Sequence, residues 1–141
     1  MNIILSIHPK WAKLIYEGKK TIEWRKRQPL YSKFEFHQID KVFIYETTPV
    51  RKITGFAEIS KYTDFDAASF YKYNYKDEEC ETLIKRGCVS IENLAKYQGC
   101  SDELIGWEIE RTVKFGTPKP LEDFGLKRAP QSWCYTEVCI K

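Results

Sequence analysis

Three side chains near the start of the chain carry its most reactive chemistry. Lys20, Glu23 and Arg25 fall in the run Lys-Lys-Thr-Ile-Glu-Trp-Arg. In an extended segment Glu23 and Arg25 share one face, roughly 7 Å apart at Cα, with Lys20 just ahead of them. A carboxylate between two cations can accept from the exocyclic amine of a base, or act as general base for a water. A guanidinium can hold a phosphate or a base edge bidentately. A lysine can hold an oxyanion or, with a lowered pKa, act as a base itself. The competing reading is an ion-pair lattice on a solvated strand. A second polar group, Pro130-Gln131-Ser132, lies near the end of the chain. Proline at the first position of a helical turn leaves free N–H groups for an anion, and Gln131 can read a base edge. Trp133 and Tyr135 follow directly and suit base stacking. Ser6 is placed to cap a first helix, the favoured reading, or to touch a ligand.

The elements that must position these groups are legible from periodicity. Residues 2–7 read as a strand. Pro9 to Glu17 reads as a short helix with Trp11, Leu14 and Ile15 on one face and Gly18 at its end. Residues 21–25 alternate and predict a half-buried strand, with Ile22 and Trp24 inward. Residues 41–46 form a near-continuous apolar run, as in a sheet covered on both faces. Residues 52–60 and 104–115 predict two more strands. Thr117-Pro-Lys-Pro reads as an extended connector, 121–128 as a site for a short helical turn, and 133–140 as a last strand. The segment 64–99 reads as a helical insertion, with Asp64 and Asp77 as caps and stops at Gly87 and Gly99. Its Phe and Tyr residues from Phe65 to Tyr75 offer a docking face for a protein partner. Strands around a helical middle predict a small α+β domain on a curved sheet or barrel, one domain over 1–141.

Composition narrows the classes. The 141 residues hold 23 Lys and Arg against 20 Asp and Glu, a net charge of +3. That is too mild for a polybasic nucleic-acid binder. The charge is uneven, however: between Lys10 and Arg27 there are seven basic residues against Glu17 and Glu23. Lys19, Lys26 and Arg27 either track a phosphate backbone or simply solubilise this stretch. Four Trp, nine Tyr and eight Phe make 15% of the chain aromatic, more rings than its core requires. Trp11, Trp24 and Trp107 sit at core-facing positions. No apolar run approaches the about 20 residues of a membrane span, and no secretory leader is visible, which predicts a cytoplasmic protein. Five cysteines at wide spacings and two distant histidines give no zinc pattern, so free thiols and no metal are expected. Phosphate-binding glycine loops and a GxSxG elbow are absent, so no cofactor is expected.

Leu5 to Pro29, LSIHPKWAKLIYEGKKTIEWRKRQP, resembles the opening signature of the ASCH domain, within the PUA-like superfamily of small β-barrels. GFAEI (Gly55 to Ile59) resembles the family's barrel strand, and RAPQSWCY (Arg128 to Tyr135) its C-terminal Pro-Gln-Ser motif. The resemblance implies a PUA-like barrel with flanking helices, a cleft between the first helix and the sheet, and RNA or a nucleotide-like molecule as ligand. The implied ligand-binding set is Ser6, Lys20, Glu23, Arg25, Gln131, Ser132, Trp133 and Tyr135. Some relatives are amidohydrolases on acylated cytidine nucleosides and others ribonucleases. For those activities Lys20 and Glu23 are the candidate catalytic pair. The amidohydrolases carry a threonine nucleophile where this chain has Glu23, so that mechanism does not transfer intact.

Overall fold

A computed structural model describes residues 1–29 and 41–138. Its elements are β1 (Asn2–Ile7), α1 (Pro9–Tyr16), β2 (Ile22–Arg25), β3 (Val42–Glu46), β4 (Lys52–Phe65), α2 (Ala67–Lys72), α3 (Glu78–Arg86), α4 (Ile91–Gln98), β5 (Leu104–Lys119) and β6 (Trp133–Thr136). A 3-10 turn occupies Leu121–Phe124. The six strands form one sheet in the order β2-β5-β4-β3-β1-β6, curled into a half-barrel. Among the described residues only β1 and β3 run parallel; the other pairs are antiparallel. Pro9 opens α1, where a missing N–H costs nothing.

The curl comes from the two long strands. β4 and β5 pair from Ile53↔Lys119 to Phe65↔Leu104, with register shifts at Ile53/Gly55, Glu58/Ile59 and Ile59/Lys61. Each irregularity adds local twist. Gly55 is needed in this bend, because a Cβ there would stand 2.2 Å from the Val113 carbonyl oxygen. Inside the curl lies a core of Ile3, Leu5, Ile7, Ile15, Ile44 and Trp107. The opposite face buries Ile4, Phe43, Phe56 and Phe124. β3 is therefore covered on both sides, as its apolar run predicts. A third cluster, with Ile22, Trp24, Phe65, Leu94 and Leu104, fastens the helices to the β2–β5 end.

The expected architecture is present, with corrections at its boundaries. β4 continues through Asp64 to Phe65, so the helical segment starts at Ala67 and Asp66, not Asp64, caps it. The Asp66 carboxylate accepts from the Ser69 N–H at 3.1 Å. Asp77 caps α3 as predicted, accepting from the Cys80 N–H at 3.1 Å. β5 absorbs Thr117, Pro118 and Lys119 instead of leaving them as a free connector, and Lys119 pairs with Ile53 of β4. His8, not Ser6, caps α1, its ring nitrogen accepting from the Lys10 N–H. No helical turn forms at Pro130; Gln131 and Ser132 bend straight into β6. The last strand is ordered as β6 over Trp133–Thr136, and residues 139–141 lie outside the described part, Cys139 with them. Cys80, Cys88, Cys100 and Cys134 are free thiols.

Candidate functional site

The half-barrel leaves a gap between its two edge strands, β2 and β6, and one side chain spans it. Arg25 on β2 donates to the Ser6 carbonyl of β1 at 2.8 Å and to the Ser132 hydroxyl at 3.0 Å. Its Nε faces the Glu23 carboxylate at 3.3 Å, as an ion pair without a directed hydrogen bond. Ser6 takes part in the same seam: its hydroxyl donates to the Pro130 carbonyl at 2.7 Å and its N–H to the Ser132 carbonyl at 2.9 Å. Thus Ser6, Glu23, Arg25 and Ser132, from three parts of the sequence, meet at one point. β2 alternation delivers both charged side chains there while Trp24 turns to the core.

Lys20 closes the other side of this point. It is 2% exposed and its Nζ donates to the Gly87 carbonyl. The Nζ also stands 5.1 Å from the Trp11 ring centre. Burial pulls the Lys20 pKa below the usual lysine value; Glu23 and Cys88 oppose that shift and Arg25 adds to it. The helical segment supplies the far wall. Gly87 can approach because it has no side chain: a Cβ there would lie 2.1 Å from Trp24 Nε1. Trp24 is packed between this glycine and Gly106, where a Cβ would meet its ring at 3.0 Å. Cys88 follows in the left-handed region at φ 58°. Outside the cleft, Arg86 donates to Glu108 at 2.8 Å and to the Thr21 hydroxyl at 3.0 Å. Burial alone would raise the Glu108 pKa, but Thr63, Arg86 and Lys61 hold it below the usual carboxylate range.

The result is a hollow of about 310 Å³ lined by Trp11, Lys20, Glu23, Arg25, Leu94 and Tyr97, among others. Its size is that of a small-ligand site. The Glu23 Oε2 atom is buried and has no hydrogen-bond donor among the described residues. Sequence reasoning missed Tyr97. It lies three residues after Leu94 on α4, so continuing that helix's apolar stripe one more turn would have found it. Burial and the Glu23 charge push its phenol up, against the pull of Arg25. Trp11, read as core, packs on the core and also lines the hollow.

Gln131, Ser132 and Trp133 line an adjoining hollow with Arg25 and Tyr97. Tyr135 stands further along, packed edge-on to Trp133 at 5.3 Å. Glu58 pairs with Arg111 at 2.9 Å, and Tyr45 is buried on the opposite face. Tyr71, Tyr73 and Tyr75 are exposed, and Tyr71 and Tyr75 line a different groove, with Ile91. Among the described residues no group of three or more metal-ligating side chains converges, and no helix is long and apolar enough to cross a membrane.

A six-stranded half-barrel with flanking helices is a PUA-like fold. The ASCH domain model matches residues 5–118, and the chain belongs to the ASCH domain family. The chain is 34% identical over 68 residues to an ASCH domain-containing ribonuclease of Zymomonas mobilis; the match covers 48% of this chain and 43% of that protein. It is similar to the crystal structure of ASCH from Zymomonas mobilis, with TM-score 0.70, 22% identity, and coverage of 95% of this chain and 86% of that one. A crystal structure of a mutant of that protein gives TM-score 0.71 at 21% identity, covering 95% and 87%.

Proposed function

We propose that the cleft binds a nucleobase of RNA or of a nucleoside, held between Trp11 and Tyr97, with Glu23 reading its amino group. The carrying observation is the Glu23 Oε2 atom, buried without a donor in a hollow that opens to solvent. A buried acceptor left unsatisfied costs about 1–3 kcal/mol, and a ligand N–H removes that cost. The flanking rings supply the apolar faces that bases stack on. Lys20 and Arg25 add positive charge for the sugar-phosphate part.

The test compares cytidine and adenosine with uridine by titration calorimetry. Wild-type protein is expected to prefer the bases that carry an exocyclic amine by about tenfold, the scale of one base contact. Glu23→Gln, which keeps the shape and changes the acceptor into an amide, removes that preference. Equal affinities for all three nucleosides in the wild type would sink the reading.

A specific observation favours a second, catalytic reading. Lys20 is a buried amine with a weakened hold on its proton, beside a carboxylate, in a chain whose Zymomonas relative is named a ribonuclease. In this reading Lys20 and Glu23 serve as an acid/base pair on RNA or on an acylated nucleoside. Purified protein then releases product from a labelled RNA or from acylated cytidine, and Lys20→Met stops it. No release from either substrate would reject this reading and leave the binding one intact.

A further inference from the structure

We propose that the cleft is the first of a row of subsites, and that Lys26, Arg27, Tyr97 and Trp133 form the next one, for the adjoining nucleotide of a single-stranded RNA. This rests on the nucleobase reading of the cleft. The cleft does not end at Arg25 and Tyr97. Both residues also line a second hollow of about 640 Å³, together with Lys26, Arg27, Gln131 and Trp133. Lys26, Arg27 and Trp133 in turn line a third hollow of about 570 Å³, which adds Tyr135, Asp64 and Glu103. Shared walls make the three a continuous trough.

The lining changes along it in a way that fits a strand. The second hollow holds three cations and no carboxylate. Lys26 and Arg27 are exposed, and Lys26 Nζ stands 5.2 Å from the Tyr97 ring centre. The Arg27 carbonyl accepts from Trp107 Nε1 at 3.1 Å, which fixes the main chain here and leaves the side chain outward. Trp133 is braced by edge-on contacts with Trp107 at 5.8 Å and Tyr135 at 5.3 Å. A pre-fixed ring loses little rotamer freedom when a base stacks on it. Cations beside rings are the pattern of single-strand grooves, where phosphates meet the charge and bases meet the faces. A free nucleoside would leave the cations unused, and an acidic peptide would leave the rings unused. Asp64 and Glu103 end the purely cationic wall, so the groove takes a short stretch of strand.

The experiment is a length series: cytidine, then cytidine-containing oligoribonucleotides of two, three and six residues, on the whole chain. Affinity is expected to rise about tenfold from the nucleoside to the dinucleotide, the worth of one stacked base, and to level off by the trinucleotide. The double variant Lys26→Ala/Arg27→Ala, at two exposed positions, keeps wild-type nucleoside affinity and loses the rise. Its log K against log salt slope for the trinucleotide falls by about 1.4, at about 0.7 for each phosphate contact. Trp133→Leu, judged folded by an unchanged far-UV circular dichroism spectrum, halves the rise or more. Nucleoside binding without a rise, a full rise in the double variant, or equal binding of the matching DNA strand or of polyglutamate would overturn the proposal. Failure of the nucleoside and every oligonucleotide to bind would overturn this proposal together with the reading of the cleft.

Discussion

Lys20 is the cleft's least comfortable side chain. Burial disfavours its ammonium, so its folded pKa lies below the ordinary 10.5, while in the unfolded chain it returns to that value. Between the two values the unfolded chain binds more protons than the folded one, so folding stability rises with pH there. We expect Lys20→Met to flatten this rise, measured as thermal midpoints from about pH 7 to about pH 9.5. Beyond that range Tyr16 and Tyr62 act in the opposite sense, since burial raises both phenols and favours their protonated forms. Identical pH slopes in the two proteins would contradict the assignment. At this scale the sequence was informative where side chains sit on one regular element. Alternation in β2 placed Glu23 and Arg25 together. Ser6 was misjudged because capping is a local rule, whereas its hydroxyl is taken by the Pro130 carbonyl, 124 residues away.

α3 has no fully buried side chain, yet its C-terminal end sets the acceptor that holds Lys20. What anchors that end is Glu108 on β5, through Arg86. Glu108→Gln is expected to destabilise the protein by about 1–3 kcal/mol, the cost of weakening a buried polar network with one partly exposed member. Glu108 has a lowered folded pKa, so its contribution is present above the ordinary carboxylate value and is lost as pH falls through the folded one. The variant should therefore show a smaller loss of stability on acidification, read by urea denaturation at neutral pH and at pH values below the ordinary carboxylate range. An equal acid loss in both proteins would remove Glu108 from this role. Helix ends were readable here because Asp77, Gly87 and Gly99 act locally. The strand running to Phe65 was not, because the far half of β4 is ordered by pairing with β5, residues that lie some forty positions later. The long strand β5 took in Pro118 for the same reason.

The whole molecule is a curled sheet whose two edges are joined by side chains. The curl itself was expected from the strand pattern and the resemblance, but no local rule gives the order β2-β5-β4-β3-β1-β6, and so none shows that β2 faces β6. Arg25 makes that join, and lysine cannot copy its two-point grip. Arg25→Lys should lower stability by about 1–3 kcal/mol and change the near-UV signal of Trp133, whose strand it helps to seat. A variant with wild-type stability and spectrum would show that the seam closes without Arg25. Arg25 and Ser132 are 107 residues apart. A ribosome adding about 5–20 residues per second makes the early charges seconds before their late partner. A nascent chain thus carries Lys20, Glu23 and Arg25 as loose charges until Ser132 has been made.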